Sequence, residues 1–191
     1  MANQDAAFGL KAIGKVGQNR DNQGLSEYSI AASATAIYQN DPVEMAATGT
    51  ITVAAATDTL LGSLNGVFYT DASTSKPTWA NHLNASNTAT DIVGFVSDDP
   101  YERFEIQSNN AGASNANDVF AVADIAYAAG SSPDYISGVE LNDSTIANGS
   151  SATLQILGAS KDPSNNDVGS ANVNWVVRIN EHELDMNVNG V

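Results

Sequence analysis

Catalysis needs side chains that hold a proton, a metal or a nucleophilic charge, and this chain offers few of them in useful spacing. It has two histidines, His82 in a polar stretch and His182 near the C-terminal end, and no cysteine. A metal site would need both histidines to converge on a carboxylate, and their separation carries no ligand signature. The adjacent acids Asp98 and Asp99, with Glu102 and Glu105 just beyond, come nearest to an acid–base pair. Asp-Asp-Pro is turn chemistry, however. Strand alternation also sends Glu102 and Glu105 to opposite faces, so no glycosidase-like separation is fixed. The stretch DPSNND at 162–167 lacks the alternating ligands, central Gly and terminal Glu of a calcium loop. No nucleophile elbow, phosphate loop or dinucleotide fingerprint occurs. The expectation is a protein that is not an enzyme, with no catalytic residue, metal or cofactor.

The elements that would position these residues read as strands. The stretch IVGFVSDDPYERFEIQ at 92–107 sets two apolar runs around Asp98-Asp99-Pro100, which predicts a central hairpin. Within it Glu102, Phe104 and Ile106 share one face, with Arg103 and Glu105 on the other. Near the C-terminal end Val173, Trp175, Val177 and Ile179 share a face, with Asn174, Arg178, Asn180 and His182 opposite. Further strands are expected around Tyr28, at 43–46, 49–53, on either side of a turn within 62–70 and so along 67–70, and at 118–127, 139–141 and 153–157. A hairpin turn is expected at Asn65-Gly66, and polar loops at 108–117 and 142–151. Many short strands without a convincing long helix predict an all-β fold, a single β-barrel or sandwich-like domain.

The 191 residues carry 22 acidic and 7 basic side chains, a net charge of −15. Such a surface repels phosphate backbones, so nucleic acid is not an expected partner. With no apolar stretch long enough for a signal peptide or a membrane span, a membrane is not expected either, and synthesis in the cytoplasm is. Residues 1–24 run against the acidic trend, with Lys11, Lys15 and Arg20 opposing Asp5 alone among the first twenty. They are punctuated by glycine and beaded with Phe8, Leu10, Ile13 and Val16. The expected organisation is an extended N-terminal arm over 1–24 and a β-rich body over 25–191. The arm would dock on an acidic surface, of a neighbouring copy or of another protein. The expected interface residues are Phe8, Leu10, Lys11, Ile13, Lys15 and Arg20 on the arm, with Arg103 and Glu105 on the body.

Several stretches together resemble a known group. They are FGLKAIG at 8–14, NDPV at 40–43, LNGVFYTDA at 64–72, KPTWAN at 76–81, FVSDDPYERFEIQ at 95–107 and NVNWVVRINEHEL at 172–184. In these the chain resembles small virion structural proteins of tailed phages, of the marine-phage type, and within them capsid cement or head decoration proteins. It departs from the group's form at Ala12, where proline is usual. The resemblance implies a β-rich protein on the outer capsid surface of the virion. It would bind the major capsid protein and other copies of itself, often as a homotrimer, and so stabilise the head. The alternatives are another virion role (tail, neck or major capsid) and a glycan-binding adhesion module that uses exposed aromatics.

Overall fold

The computed structural model describes residues 3–17, 24–109, 114–149 and 151–185. Within them the chain is all-β and sandwich-like, built from antiparallel strands. In chain order these are β1 (Lys11–Lys15), β2 (Ser26–Ser29), β3 (Pro42–Ala46), β4 (Thr50–Val53), β5 (Gly62–Thr70), β6 (Pro77–Ala80) and β7 (Val93–Ser97). There follow β8 (Glu102–Gln107), β9 (Val122–Ala123), β10 (Ile125–Ala126), β11 (Glu140–Leu141), β12 (Leu154–Ala159) and β13 (Asn174–Ile179).

The chain divides its strands almost in sequence. One sheet has the order β2-β7-β5-β3-β4, with β6 paired on β5, and comes wholly from residues 26–97. The other has the order β1-β8-β13-β12-β9 and comes from the later strands plus β1. Strands β10 and β11 form a separate pair. Each large sheet buries its own apolar cluster. Phe104, Ile106, Trp175, Val177 and Ile156 pack with Leu10 and Leu60 in one, and Val43, Leu64, Val67, Val96 and Ile51 pack with Leu61 in the other. The neighbours Leu60 and Leu61 therefore point into different cores, which is how a strand entry stitches the two together. Full burial of side chains of this size stabilises by roughly 1.5–3 kcal/mol each.

The alternation in the last strand places Val173, Trp175, Val177 and Ile179 in the core, all buried. Other expectations need correcting. The stretch at 92–107 is not a hairpin. Strand β7 pairs with β2 and β5, while β8 pairs with β1 and β13, so Asp98–Tyr101 carries the chain from one sheet to the other. Each strand is central in its own sheet, and pairing with two neighbours outweighs pairing across a short turn.

Asn65-Gly66 is not a turn either. It lies inside β5, where the register slips between Leu64 and Gly66 against β7. Such a bulge suits glycine. A Cβ on Gly66 would lie 2.9 Å from the Trp79 ring and 3.0 Å from the Ala80 carbonyl, so only glycine lets β6 approach this closely.

The strand expected over 118–127 breaks in two. Val119 and Phe120 form a turn, with Phe120 at φ 74, and the chain passes from β9 to β10 at Asp124. There the Asp124 N–H donates to the Thr145 hydroxyl (2.9 Å) and its carboxylate accepts the Thr153 N–H (3.3 Å). These bonds replace ladder pairing.

Candidate functional site

The N-terminal segment lies along the protein's own body. Asn3 donates through Nδ2 to the Ala171 carbonyl at 2.8 Å, and Asn165 donates to the Gln4 carbonyl at 2.7 Å. The Gln107 amide reads the same stretch from both sides, accepting the Ala6 N–H at 2.8 Å and donating to the Gln4 carbonyl at 2.9 Å. Asn40 then takes over. Its side chain donates to the Phe8 carbonyl (3.0 Å), and its own carbonyl accepts the Leu10 N–H (2.9 Å). Gly9 makes this crossing possible. It sits at φ +72, and a Cβ there would collide with the Asn40 carbonyl and the Ser137 side chain.

Leu10, expected at a partner interface, is instead fully buried in the protein's own core, where its carbonyl accepts the Ser63 hydroxyl at 2.5 Å. Lys15, expected to seek an acidic partner, pairs with Asp99 and lies 4.0 Å from Glu102. The acidic surface it finds is its own. The arm reading is thus corrected for Leu10 and Lys15: apolar burial and ion pairing are satisfied within the chain. Phe8 is half-buried beside Asn40. Arg20 lies outside the described residues.

The remaining expected residues gather at one place. Strand β1 pairs antiparallel with β8, with Lys11 opposite Glu105, Ala12 opposite Phe104, Gly14 opposite Arg103 and Lys15 opposite Glu102. Opposed residues share a face. Lys11, Arg103 and Glu105 therefore stand on the outer face, while Lys15 and Glu102 turn inward. Ile13 occupies the bulge between Ala12 and Gly14 and is 44% exposed. Arg103 reaches over Gly14, with a guanidinium nitrogen 3.3 Å from where a Cβ would sit. Among the described residues, neither Lys11 nor Arg103 has a carboxylate within ion-pair distance. Beside β1 runs a groove of about 470 Å³. Lys11–Gly14 line one side, and Gln39, Asn40, Ser63, Leu64 and Asn65 line the other, with Leu25 and Glu102 at its margins.

A second surface lay outside the expected interface. On the outer face of the six-stranded sheet, Phe68 of β5 stands opposite both Trp79 of β6 and Val93 of β7. Trp79 leans over Gly66 onto Phe95, with ring centroids 4.8 Å apart and an interplanar angle of 47°. Trp79 is 56% exposed and Phe68 40%. Along β6 Thr78 and Ala80 are half-buried while Trp79 is exposed, so the ring belongs to the outer face.

The acidic residues of 98–105 act as structure. Asp98 accepts the Tyr28 hydroxyl at 2.6 Å and the Ser26 hydroxyl at 2.9 Å, and burial together with Asp98 pushes the Tyr28 phenol up to about 12. Burial raises Glu102, against the pull of Lys15. Glu44 rises to about 7 through burial and the neighbouring Asp58, and Glu183, which accepts the Met45 N–H at 2.8 Å, is raised by burial.

His182 is buried, with Nδ1 accepting the Leu184 N–H at 3.0 Å, while His82 stacks on Tyr135 at 3.8 Å between centroids. The two histidines thus serve different local networks. Among the described residues no group of three or more histidine and acidic side chains is arranged to hold a metal ion, and no helix is long and apolar enough to cross a membrane. No protein-family model, curated protein or solved structure matches the chain.

Proposed function

We propose that this chain is a virion structural protein of a tailed phage. In this reading it is a capsid cement or head decoration protein that binds the outer head surface and bridges neighbouring major capsid subunits. The observation that carries the reading is the aromatic face of Trp79, Phe68 and Phe95 on three adjacent strands of a fully paired sheet. Exposed contiguous apolar surface of this kind marks protein interaction sites, and tryptophan at the centre of such a patch dominates binding energy. A rigid sheet presents the patch at little cost in ordering on binding. The net charge of −15 suits a surface outside the head better than one against packaged DNA. The resemblance of FVSDDPYERFEIQ, NGVFYT with KPTW, and NVNWVVRINEHEL to this group supports the same reading.

The test is electron microscopy of the purified particle, combined with co-sedimentation of the protein with heads that lack it. Density for this chain on the outer capsid floor is expected. A variant carrying Trp79→Ser and Phe68→Thr should keep the wild-type circular dichroism spectrum at a somewhat lower melting temperature and lose head binding at least 100-fold. Density confined to the tail, or unchanged sedimentation of the double variant, would overturn the proposal.

A further inference from the structure

The edge of β1 is a second interaction surface, separate from the aromatic face. Among the described residues strand β1 has a neighbour on one side only, β8, and its other side opens toward the groove beside Asn40, Ser63 and Asn65. An open strand edge is a template for another strand. This edge is about 17 Å long at the usual rise for five residues. Its apolar content is Ile13 on the edge and Leu25 at the groove margin, 44% and 38% exposed. Its cationic groups are Lys11 and Arg103, exposed and without an ion pair among the described residues, with Glu105 opposite Lys11 on β8 and the buried Glu102 lining the groove.

We infer that β1 accepts an extended acidic segment of another protein as an added strand, with Lys11 and Arg103 selecting its carboxylates and Ile13 and Leu25 contacting its apolar side chains. The N-terminal segment is then a receptor rather than a donor: its own chain has already seated it, and its free edge remains. A second copy is a poorer occupant. Two β1 edges paired antiparallel would draw the exposed Lys11 and Arg103 side chains of both copies to the same seam. Like charges opposed across strands are unfavourable. An acidic segment instead gains charge-assisted hydrogen bonds to the guanidinium and ammonium groups. This inference does not depend on the virion reading, since it concerns a different surface and a partner defined only by its chemistry.

The probe is the capped heptapeptide Thr-Glu-Val-Glu-Val-Asp-Thr, titrated into the full-length protein. Binding is followed by fluorescence anisotropy and by amide shifts in a nitrogen–proton NMR spectrum. The expected result is saturable binding, with the largest shifts at 11–15, Leu25 and Asn65. The same peptide with its acids changed to lysine should bind at least tenfold more weakly. The double variant Lys11→Gln with Arg103→Gln removes both charges from two exposed side chains that have no ion pair among the described residues and should stay folded, yet should bind the acidic peptide at least tenfold more weakly than wild type does. Equal affinity for both peptides would overturn the inference, as would shifts centred away from β1 or no binding at about 1 mM peptide. Sedimentation showing that β1 is already occupied by a second copy would overturn it too.

Discussion

Asp41 sits at the junction of the two cores, fully buried, with one carboxylate oxygen accepting the Tyr38 N–H at 2.7 Å. Burial pushes its carboxyl up to about 6, against the Ser137 hydroxyl and the Tyr38 N–H, which hold it down. A carboxylate raised in the folded state stabilises the fold below its unfolded pKa, and that contribution is lost as pH rises through the folded value. Asp41 therefore costs stability at neutral pH. A shift of this size corresponds to about 3 kcal/mol at most. Asp41→Asn keeps an acceptor for the Tyr38 N–H and removes the buried charge. Urea unfolding should show the variant more stable than wild type by about 1–3 kcal/mol at pH 7.5, with the gap shrinking as pH falls through 6 and closing below the unfolded value of 3.8. Asn40-Asp41-Pro42 carries a turn signal in the sequence, because proline and the Asx residues fix local geometry. That the turn would be buried was not legible, since the segments that cover it, around Gly9 and Ser137, are distant in sequence.

At the scale of elements, strand periodicity was the readable part. The inward set Phe104 and Ile106 with Glu102, and the set from Val173 to Ile179, follow from alternation alone, and all are buried. Pairing was not readable. Asp-Asp-Pro carries the same turn signal whether the chain folds back or crosses to another sheet, and only the partners of β7 and β8 decide. Asn65-Gly66 failed for a related reason: a bulge and a hairpin turn ask for the same residues. Of the expected interface, Lys11, Ile13, Arg103 and Glu105 converge on β1 and β8. Leu10 and Lys15 were misplaced because a glycine-rich segment with apolar beads looks alike whether its docking site is its own body or another's.

The seating of that segment turns on Gly9. Gly9→Ala must either strain a backbone at positive φ or push Asn40 and Ser137 aside. It should destabilise by about 2–4 kcal/mol in chemical unfolding. Its cost should match that of Leu10→Ala, for which about 2–5 kcal/mol is expected, because both release the same stretch.

For the whole molecule, charge sets the response to pH. Burial raises Glu44, Glu102, Glu140 and Glu183 as it raises Asp41, so each contributes stability at low pH that fades as pH rises through its folded value. Burial lowers His82 and His182, so their contribution is present above the unfolded histidine value and is lost as pH falls below it. With Asp41 at about 6 and Glu44 at about 7, thermal unfolding followed by circular dichroism should show the melting temperature falling as pH rises from about 5.5 to 8. A flat profile or a maximum above pH 7.5 would contradict these assignments. The composition announced an acidic protein; which acids are buried depended on the tertiary fold.

Strand β1 also has a consequence in time. Its partner β8 lies about ninety residues further along the chain, whereas β2 to β7 find all their neighbours among residues 26–97. On a ribosome adding roughly 5–20 residues per second, β1 emerges first and waits about 5–20 s for the strand that receives it. The six-stranded sheet can close during that interval, which makes β1 the late clasp of the domain rather than its starting point. A nascent chain stalled so that residues up to 101 have left the ribosome while β8 is still in the exit tunnel should therefore resist protease across 26–97 and be cut freely within 11–15. Release of the stalled chain to full length should protect both.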